Sequence, residues 1–274
     1  MNIIGFQKCS LVDYPGKMAA VIFTPGCNMD CFFCHNRRIV SMPAAGALYD
    51  NSAVLRTLRE RMGFLDSVVV TGGEPTLQKG LESFIRGVRA LGYAVKLDTN
   101  GSNPEVLSRL IRDGLLNYVA MDIKAPRARY AEMCGSGFDL NDVDASIQIL
   151  MQDFVEYEFR TTVIPQLAGE DLLTIARWIR GARRYVLQQY RPLAAGERGN
   201  DARCAAPAHA PAALWQWARM IRPFVQHCET RGLGPEIPVR TGDTAEEDRL
   251  AASISLTGGP ETTHPAAATA VSAA

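Results

Sequence analysis

The stretch MAAVIFTPGCNMDCFFCHN, residues 18–36, joins a short apolar run to a cysteine-rich loop. The run at residues 18–24 has the β-branched and aromatic composition of a strand that is buried on both faces. The proline and glycine that follow indicate a turn into a loop. That loop carries Cys27, Cys31 and Cys34 in the spacing Cys-x3-Cys-x2-Cys. Three thiols cannot pair off as disulfides, so the stretch predicts a strand followed by a metal-binding loop.

The same alternation of apolar strands and amphipathic helices continues along the chain. Further strands are predicted at 67–72, 94–99, 118–124, 157–164 and 185–190. Helices are predicted near 51–62, 78–91, 103–114, 141–152 and 171–182. In the third of these helices Asn103 suits the N-cap, Pro104 the first turn and Gly114 the left-handed stop. Six parallel strands with right-handed crossovers form either an open doubly wound sheet or an incomplete barrel, and periodicity alone fits both.

Polar residues interrupt the apolar pattern at the same end of successive strands. Because the carboxyl ends of parallel strands meet at one edge of the sheet, this repetition predicts one shared site. The first four predicted strands contribute, in order, Cys27, Gly72 to Glu74, Asp98 to Asn100, and Asp122 with Lys124.

The composition excludes several function classes. The chain has 274 residues, with 29 basic and 29 acidic side chains that cancel, so nothing in its charge favours a nucleic acid or an acidic membrane as partner. We expect no secretory signal, because no basic region followed by an apolar run opens the sequence. The sequence contains no uninterrupted apolar stretch of about twenty residues, so we expect no membrane span. Seven cysteines are then best interpreted as thiols or metal ligands in a cytoplasmic protein.

The organisation changes after Pro192. Residues 1–193 are predicted to form the strand and helix domain, and residues 194–211, rich in Ala, Gly and Pro, a linker or long loop. Residues 212–240 are predicted to be a helical extension that docks on the barrel, with Pro223 able to split it. Residues 241–274 contain no aromatic residue and are predicted to be a disordered tail.

Three thiolates on one loop leave several metal centres open. A structural zinc site is closed by four protein ligands. The nearby candidate for the fourth is His35, which directly follows Cys34 and would have difficulty turning back to the same metal. A [4Fe–4S] cluster usually has four cysteine ligands, and the fourth would be one of the distant Cys9, Cys134, Cys204 or Cys228. With only three protein ligands, one iron stays open, which is typical of a reactive site.

Five motifs together resemble the radical S-adenosylmethionine superfamily and, within it, the glycyl-radical-enzyme activases. They are VDYPGK, TPGCNMDCFFCHN, TGGEP, LDTNG and MDIK. The resemblance covers about residues 3 to 192 and is strongest to the activating proteins of anaerobic ribonucleoside-triphosphate reductase. It implies an α/β fold, an incomplete (β/α)6 TIM-like barrel, with the predicted C-terminal helix and tail added.

The resemblance also implies the chemistry and the partners. One [4Fe–4S] cluster would bind S-adenosylmethionine (SAM) at its open iron, and SAM would be cleaved reductively to a 5′-deoxyadenosyl radical. That radical would take a hydrogen atom from a backbone glycine of a glycyl-radical enzyme. Electrons would come from a flavodoxin- or ferredoxin-like reductant. Residues 35–71 contain no cysteine, so a second cluster is not expected between the first two motifs.

The resemblance assigns roles to the matching residues of this chain. Cys27, Cys31 and Cys34 are expected to hold the cluster. Asp122 and Lys124 alternate with Ile123 and therefore face the same side, where an ion pair without functional role is an equally good interpretation. Arg160 on the fifth predicted strand is expected to face the SAM carboxylate. The remaining expected SAM contacts are Phe33, Asn36, Gly72, Gly73, Glu74, Asp98, Thr99 and Asn100.

Two other functions remain open at this stage. A radical SAM enzyme of the 7-carboxy-7-deazaguanine synthase kind would share these motifs and act on a small molecule. A non-catalytic iron–sulfur electron carrier would explain the cysteines but leave the other motifs unexplained. No pattern assigns a role to Cys204 or Cys228, which are expected to be ordinary thiols.

Overall fold

The computed structural model describes residues 1–40, 49–193 and 201–233. Its strands form a single eight-stranded sheet whose spatial order follows the chain, β1 to β8. The first strand pairs antiparallel with the second, and every later pair is parallel. The strands are β1 (Gly5–Tyr14), β2 (Lys17–Thr24), β3 (Ser67–Gly72), β4 (Ala94–Thr99), β5 (Tyr118–Asp122), β6 (Glu156–Val163), β7 (Tyr185–Gln189) and β8 (Cys228–Arg231).

Helices connect the parallel strands as crossovers. They are α1 (Arg37–Val40), α2 (Asn51–Glu60), α3 (Leu81–Ala90), α4 (Pro104–Arg112), α5 (Tyr130–Cys134), α6 (Leu140–Leu150), α7 (Gly169–Trp178) and α8 (Pro211–Ile221). The predicted start of α4 is confirmed, since the Asn103 side chain accepts a hydrogen bond from the backbone N–H of Val106. Its predicted stop is confirmed as well, because Gly114 has φ +64°. This succession of strands and helices is the predicted incomplete α/β barrel.

The two faces of the sheet bury different side chains. On β2, Ala20 and Ile22 belong to the large core cluster that includes the helix residue Ile85. Ala19 and Val21, which point the opposite way, belong to a small cluster on the other face. The rest of that second face is polar towards the carboxyl ends of the strands, and this is where the site lies.

The structure adds two strands to the six that the sequence predicted. β1 has mostly exposed or half-buried side chains and two register irregularities, so it carries no apolar run that would reveal it. β8 has only four residues, of which Glu229 and Arg231 are charged, and it lies within the segment predicted as a helical extension. In that extension the helix itself ends at Ile221, before Pro223.

Parts of the predicted organisation lie outside the described residues. They include positions 194–200 of the predicted linker and the whole predicted tail at 241–274. Of the linker, Ala202–Ala205 form one 3-10 turn. Within the described ranges, the structure has no helix with the length and apolar character needed to cross a membrane.

Candidate active site

A cavity of about 630 Å³ lies at the carboxyl ends of the parallel strands. This volume is within the usual range for a small-molecule or cofactor site. Ten residues in its lining were predicted from the sequence pattern, and three more, Phe33, Asn36 and Arg160, were expected from the resemblance alone. The thirteen are Cys27, Cys31, Phe33, Cys34, Asn36, Gly72, Gly73, Asp98, Thr99, Asn100, Asp122, Lys124 and Arg160.

The cysteine loop between β2 and α1 is held from both sides. The Asp30 N–H donates to the carbonyl of Cys134 at the end of α5, at 2.8 Å. Arg37, in the first turn of α1, donates to the Asp30 carboxylate and to the Cys31 carbonyl, each at 2.8 Å. The Cys34 N–H closes a turn on the Cys31 carbonyl at 3.1 Å. These bonds fix the backbone that carries the three thiols.

The three thiols differ in acidity. Burial raises the pKa of Cys27 to about 11, and burial also raises the pKa of Cys34. A hydrogen bond with the Cys134 side chain lowers the pKa of Cys31, against its own burial. A metal binds the thiolate form, so loading this site must release protons from Cys27 and Cys34 at neutral pH.

The donor set fits a [4Fe–4S] cluster. In the described part of the chain, no three His, Cys, Asp or Glu side chains are placed to hold a single metal ion. A cubane cluster has no such requirement, since each cysteine binds a different iron. Three sulfur donors that line one cavity therefore match three of its irons, with Cys27, Cys31 and Cys34 as the residues that would hold it.

The backbone of the two glycines at the end of β3 packs directly against the backbone of the cysteine loop. A Cβ on Gly73 would lie 1.8 Å from the Gly26 carbonyl oxygen, and Gly72 has φ +118°. The Glu74 N–H donates to that same carbonyl at 2.8 Å. Asn36 completes the junction, because its side-chain amide donates to the Gly72 carbonyl at 2.9 Å. Only glycine permits this approach, so the Gly-Gly pair positions the cysteine loop as well as lining the cavity.

Glu74 is the predicted site residue that does not line the cavity. Its carboxylate is fully buried and accepts hydrogen bonds from the Thr76 N–H and hydroxyl, the Thr99 hydroxyl and the Asn100 N–H, at 2.6 to 3.1 Å. Burial raises its pKa, while these donors act to lower it. The side chain thus ties the turn after β3 to the end of β4 and positions Thr99 and Asn100.

Charged side chains converge on the inner face of β4, β5 and β6. Arg160 lies between two carboxylates, with its Nε 2.9 Å from Asp122 and its Nη1 3.4 Å from Asp98. Lys124 approaches Asp122 at 2.9 Å and Lys96 approaches Asp98 at 2.8 Å. Burial opposes the ionisation of Asp122, but the charges of Arg160 and Lys124 outweigh it and hold its pKa well below the usual range. Buried charges persist in this way only when they are paired or bound to a ligand.

We expect Arg160→Met to destabilise the fold by about 3 to 5 kcal/mol at neutral pH, because it leaves two carboxylates without their shared cation. In the natural chain the lowered pKa of Asp122 adds stability above the unfolded Asp pKa of about 3.9, and this stability is lost on acidification. The variant lacks part of it, so its deficit should shrink as pH falls below about 4. Urea unfolding at several pH values measures both effects.

The matched control for this prediction is Arg86→Met. Arg86 pairs with Glu82 and Asp113 on the surface, and its side chain is half exposed. Solvent screens exposed ion pairs, so this variant should lose little stability. An equal loss in both variants would show that the inner network contributes no more than a surface pair.

Sequence reasoning missed several residues of the cavity. Lys96 is 2% exposed and its ammonium also donates to the Asp13 carbonyl at 2.5 Å. A lysine two positions before Asp98 in an apolar strand was a usable signal, since strand alternation puts both on one face. Arg231 of β8 also lines the cavity, held by the fully buried Glu158 at 2.8 and 2.9 Å. No local pattern marks Arg231.

Comparison with known proteins identifies the family. The model of the Radical SAM superfamily matches residues 21–179. A protein of Methanocaldococcus jannaschii with the provisional name glycyl-radical enzyme activating enzyme is 35% identical over 198 residues, which are 69% of this chain and 80% of that protein. The 7-carboxy-7-deazaguanine synthase of Thermococcus kodakarensis is 27% identical over 199 residues, 65% of this chain and 76% of the synthase.

A solved structure shares the fold. Streptococcus suis SuiB bound to S-adenosylmethionine superposes with a TM-score of 0.60 at 12% identity, over 77% of this chain and 52% of SuiB. This chain therefore spans about half the length of SuiB, and the likeness bears on the fold alone. Radical SAM proteins use a [4Fe–4S] cluster and SAM, and the cavity described above offers three thiols for the first. The chain belongs to the radical SAM superfamily and has these two cofactors.

Proposed function

We propose that this chain is an activating enzyme that generates a glycyl radical on a partner enzyme, and that the partner is an anaerobic ribonucleoside-triphosphate reductase. The likeness to the Methanocaldococcus jannaschii protein carries this proposal, because it extends over 80% of a protein named for that activity. The motifs quoted from the sequence support the same choice. We infer the reductase as partner because these motifs resemble those of its activating proteins.

Each part of the cavity would have its own task in this reaction. When bound, the cluster and SAM would supply the radical chemistry for hydrogen-atom abstraction from the substrate. Cys27, Cys31 and Cys34 would hold the cluster and leave one iron to SAM. Gly72 and Gly73 line the cavity and have no side chain of their own, so their backbone suits close contact with the SAM amino group. Asp98, Asp122, Lys124 and Arg160 offer paired charges of both signs for its polar groups.

The open sheet suits a macromolecular substrate. Among the described residues, β1 and β8 are the two edge strands and do not pair with each other. Residues from both edges line the cavity, with Val12 and Asp13 on one side and Arg231 and Gly232 on the other. A closed (β/α)8 barrel would fill this interior with side chains. An open one leaves room for a flexible glycine loop of the partner to enter.

One observation favours a second candidate, a radical SAM enzyme that acts on a small molecule. The chain covers 76% of a 7-carboxy-7-deazaguanine synthase at 27% identity, and the cavity volume suits a compact substrate. This sequence identity is lower than the 35% shared with the Methanocaldococcus jannaschii protein. The second candidate shares the cofactors and differs in where the hydrogen atom comes from.

Electron paramagnetic resonance separates the candidates. The chain, reconstituted without air, is mixed with SAM, dithionite or a flavodoxin, and a candidate reductase. We expect a glycyl radical signal together with 5′-deoxyadenosine, and no radical when the reductase glycine is replaced by alanine. If 5′-deoxyadenosine and methionine form but no tested reductase acquires the radical, the small-molecule candidate is favoured. If no methionine is released at all, the chain is an electron carrier and both enzymatic proposals fail.

A further inference from the structure

A short segment after β7 packs on the cysteine loop. Residues 201–206 lie outside the stretch 21–179 that matches the superfamily model, within the part of the sequence predicted as a linker. Ala202–Ala205 form a 3-10 turn that Asp201 caps, with its carboxylate accepting from the Arg203 N–H at 2.9 Å. The turn carries Cys204, which is fully buried.

This turn makes two contacts with one residue of the cysteine loop, Phe32. The Cys204 thiol donates to the Phe32 carbonyl with a sulfur to oxygen distance of 3.2 Å. The guanidinium carbon of Arg203 lies 3.8 Å from the centroid of the Phe32 ring, well within cation–π range. Phe32 lies directly after Cys31 and two positions before Cys34, so whatever fixes Phe32 fixes the backbone between two cluster ligands.

The turn is itself anchored to the barrel. Arg203 donates to the Glu132 carbonyl in α5 at 3.2 Å, and Asp201 orients the guanidinium at 2.7 to 3.2 Å. The Gln166 side chain, in the loop after β6, donates to the Arg203 carbonyl at 3.0 Å. The Tyr190 hydroxyl, just after β7, lies 3.5 Å from the Cys204 carbonyl. Three separate elements thus hold the turn against the loop.

We propose that Arg203 and Cys204 are positioning residues that keep the cysteine loop in its cluster-binding conformation. The loop spans only residues 27–34 and carries three ligands. If the loop is already ordered, cluster binding does not have to overcome the loss of its conformational entropy. A loop that opens less often also exposes its thiolate–iron bonds less often. The proposal rests on the superfamily assignment and is independent of which substrate the enzyme uses.

Iron release tests the proposal without any measurement of activity. The chain, reconstituted with its cluster under anaerobic conditions, is mixed with a ferrous-iron chelator, and the rate of coloured complex formation is recorded. We expect Arg203→Ala and Cys204→Ala each to release iron about fivefold faster, as befits loss of one cation–π contact or one buried hydrogen bond. Cys204→Ser keeps a donor for the Phe32 carbonyl and should stay within about twofold of the natural rate.

Two control variants remove the same chemistry elsewhere. Arg180→Ala deletes an arginine whose guanidinium lies 5.1 Å from the Phe224 ring, and Cys228→Ala deletes another buried cysteine, in β8. Both should keep the natural release rate, while unfolding midpoints of the cluster-free chains report any general loss of stability. The Arg203 side chain is 43% exposed, so we expect its truncation to leave the fold intact, and the unfolding midpoint checks this. Unchanged iron release in the Arg203→Ala and Cys204→Ala variants, or equal acceleration in the controls, would overturn the proposal.

Discussion

We expect Cys31→Ala to abolish both cluster binding and the formation of 5′-deoxyadenosine. This is the expected result because, among the residues that the structure describes, three cysteines line the cavity, and removing one leaves two sulfur donors for a cluster that already lacks a fourth. Cys31 is also the thiol whose pKa is lowered, so the variant loses the ligand that ionises most readily. Iron and sulfide analysis after anaerobic reconstitution, followed by product analysis with SAM and dithionite, measures both losses.

Cys9→Ala is the matched control for this prediction. Cys9 is exposed on β1 and is not part of the cavity lining, so the variant should bind its cluster and cleave SAM like the natural chain. Circular dichroism of the two cluster-free variants shows whether each is folded. Formation of 5′-deoxyadenosine by a folded Cys31→Ala variant would mean that the cysteine loop is not the cluster site.

Gly73→Ala is expected to be the second most damaging change. Its Cβ would meet the Gly26 carbonyl oxygen at 1.8 Å, and this neighbour is backbone, which cannot swing away as a side chain does. The cysteine loop and the turn after β3 must then separate. Overpacking of this kind costs about 3 kcal/mol of stability, and a displaced site lowers SAM cleavage about a hundredfold. Urea unfolding and the initial rate of 5′-deoxyadenosine formation check the two effects.

Gly87→Ala provides the comparison, because Gly87 lies within α3 and its added Cβ would meet only the end of the Leu55 side chain, at 3.1 Å. That side chain can move, and alanine is favoured over glycine inside helices by about 1 kcal/mol. This variant should keep its stability and its full rate of SAM cleavage. A Gly73→Ala variant as active as Gly87→Ala would show that the close approach of the two backbones is not needed.

The sequence predicts most of the barrel because its central strands are buried on both faces. The predicted strands at 67–72 and 94–99 match β3 and β4 residue for residue. Runs such as Val68 to Val70 are short, β-branched and apolar throughout, which is typical of a strand buried on both faces. The edge strands lack that signal. β1 exposes Leu11 and Val12 to solvent, and β8 is short and charged, so both depend on pairing with a neighbour already in place.

For the site, the sequence predicts which residues are present but not the contacts that they make. Ten of the thirteen cavity residues could be predicted because they lie at or beyond the ends of parallel strands, which meet at one edge of the sheet. Phe33, Asn36 and Arg160 were expected only from the resemblance. What each side chain does there depends on partners that are distant in sequence. Glu74 is bound by Thr99 and Asn100, which no local pattern connects to it, so its burial beneath the cavity could not be foreseen. The contact of Arg203 with Phe32 joins segments that are farther apart still.

Metal analysis of the natural chain shows whether Cys27, Cys31 and Cys34 hold an iron–sulfur cluster with one iron left open. Purified without air, the chain should contain about four iron and four sulfide ions. Its reduced cluster should give an electron paramagnetic resonance signal that changes when SAM is added. A colourless protein that holds one zinc ion in a closed tetrahedral site, and does not respond to SAM, would contradict the account.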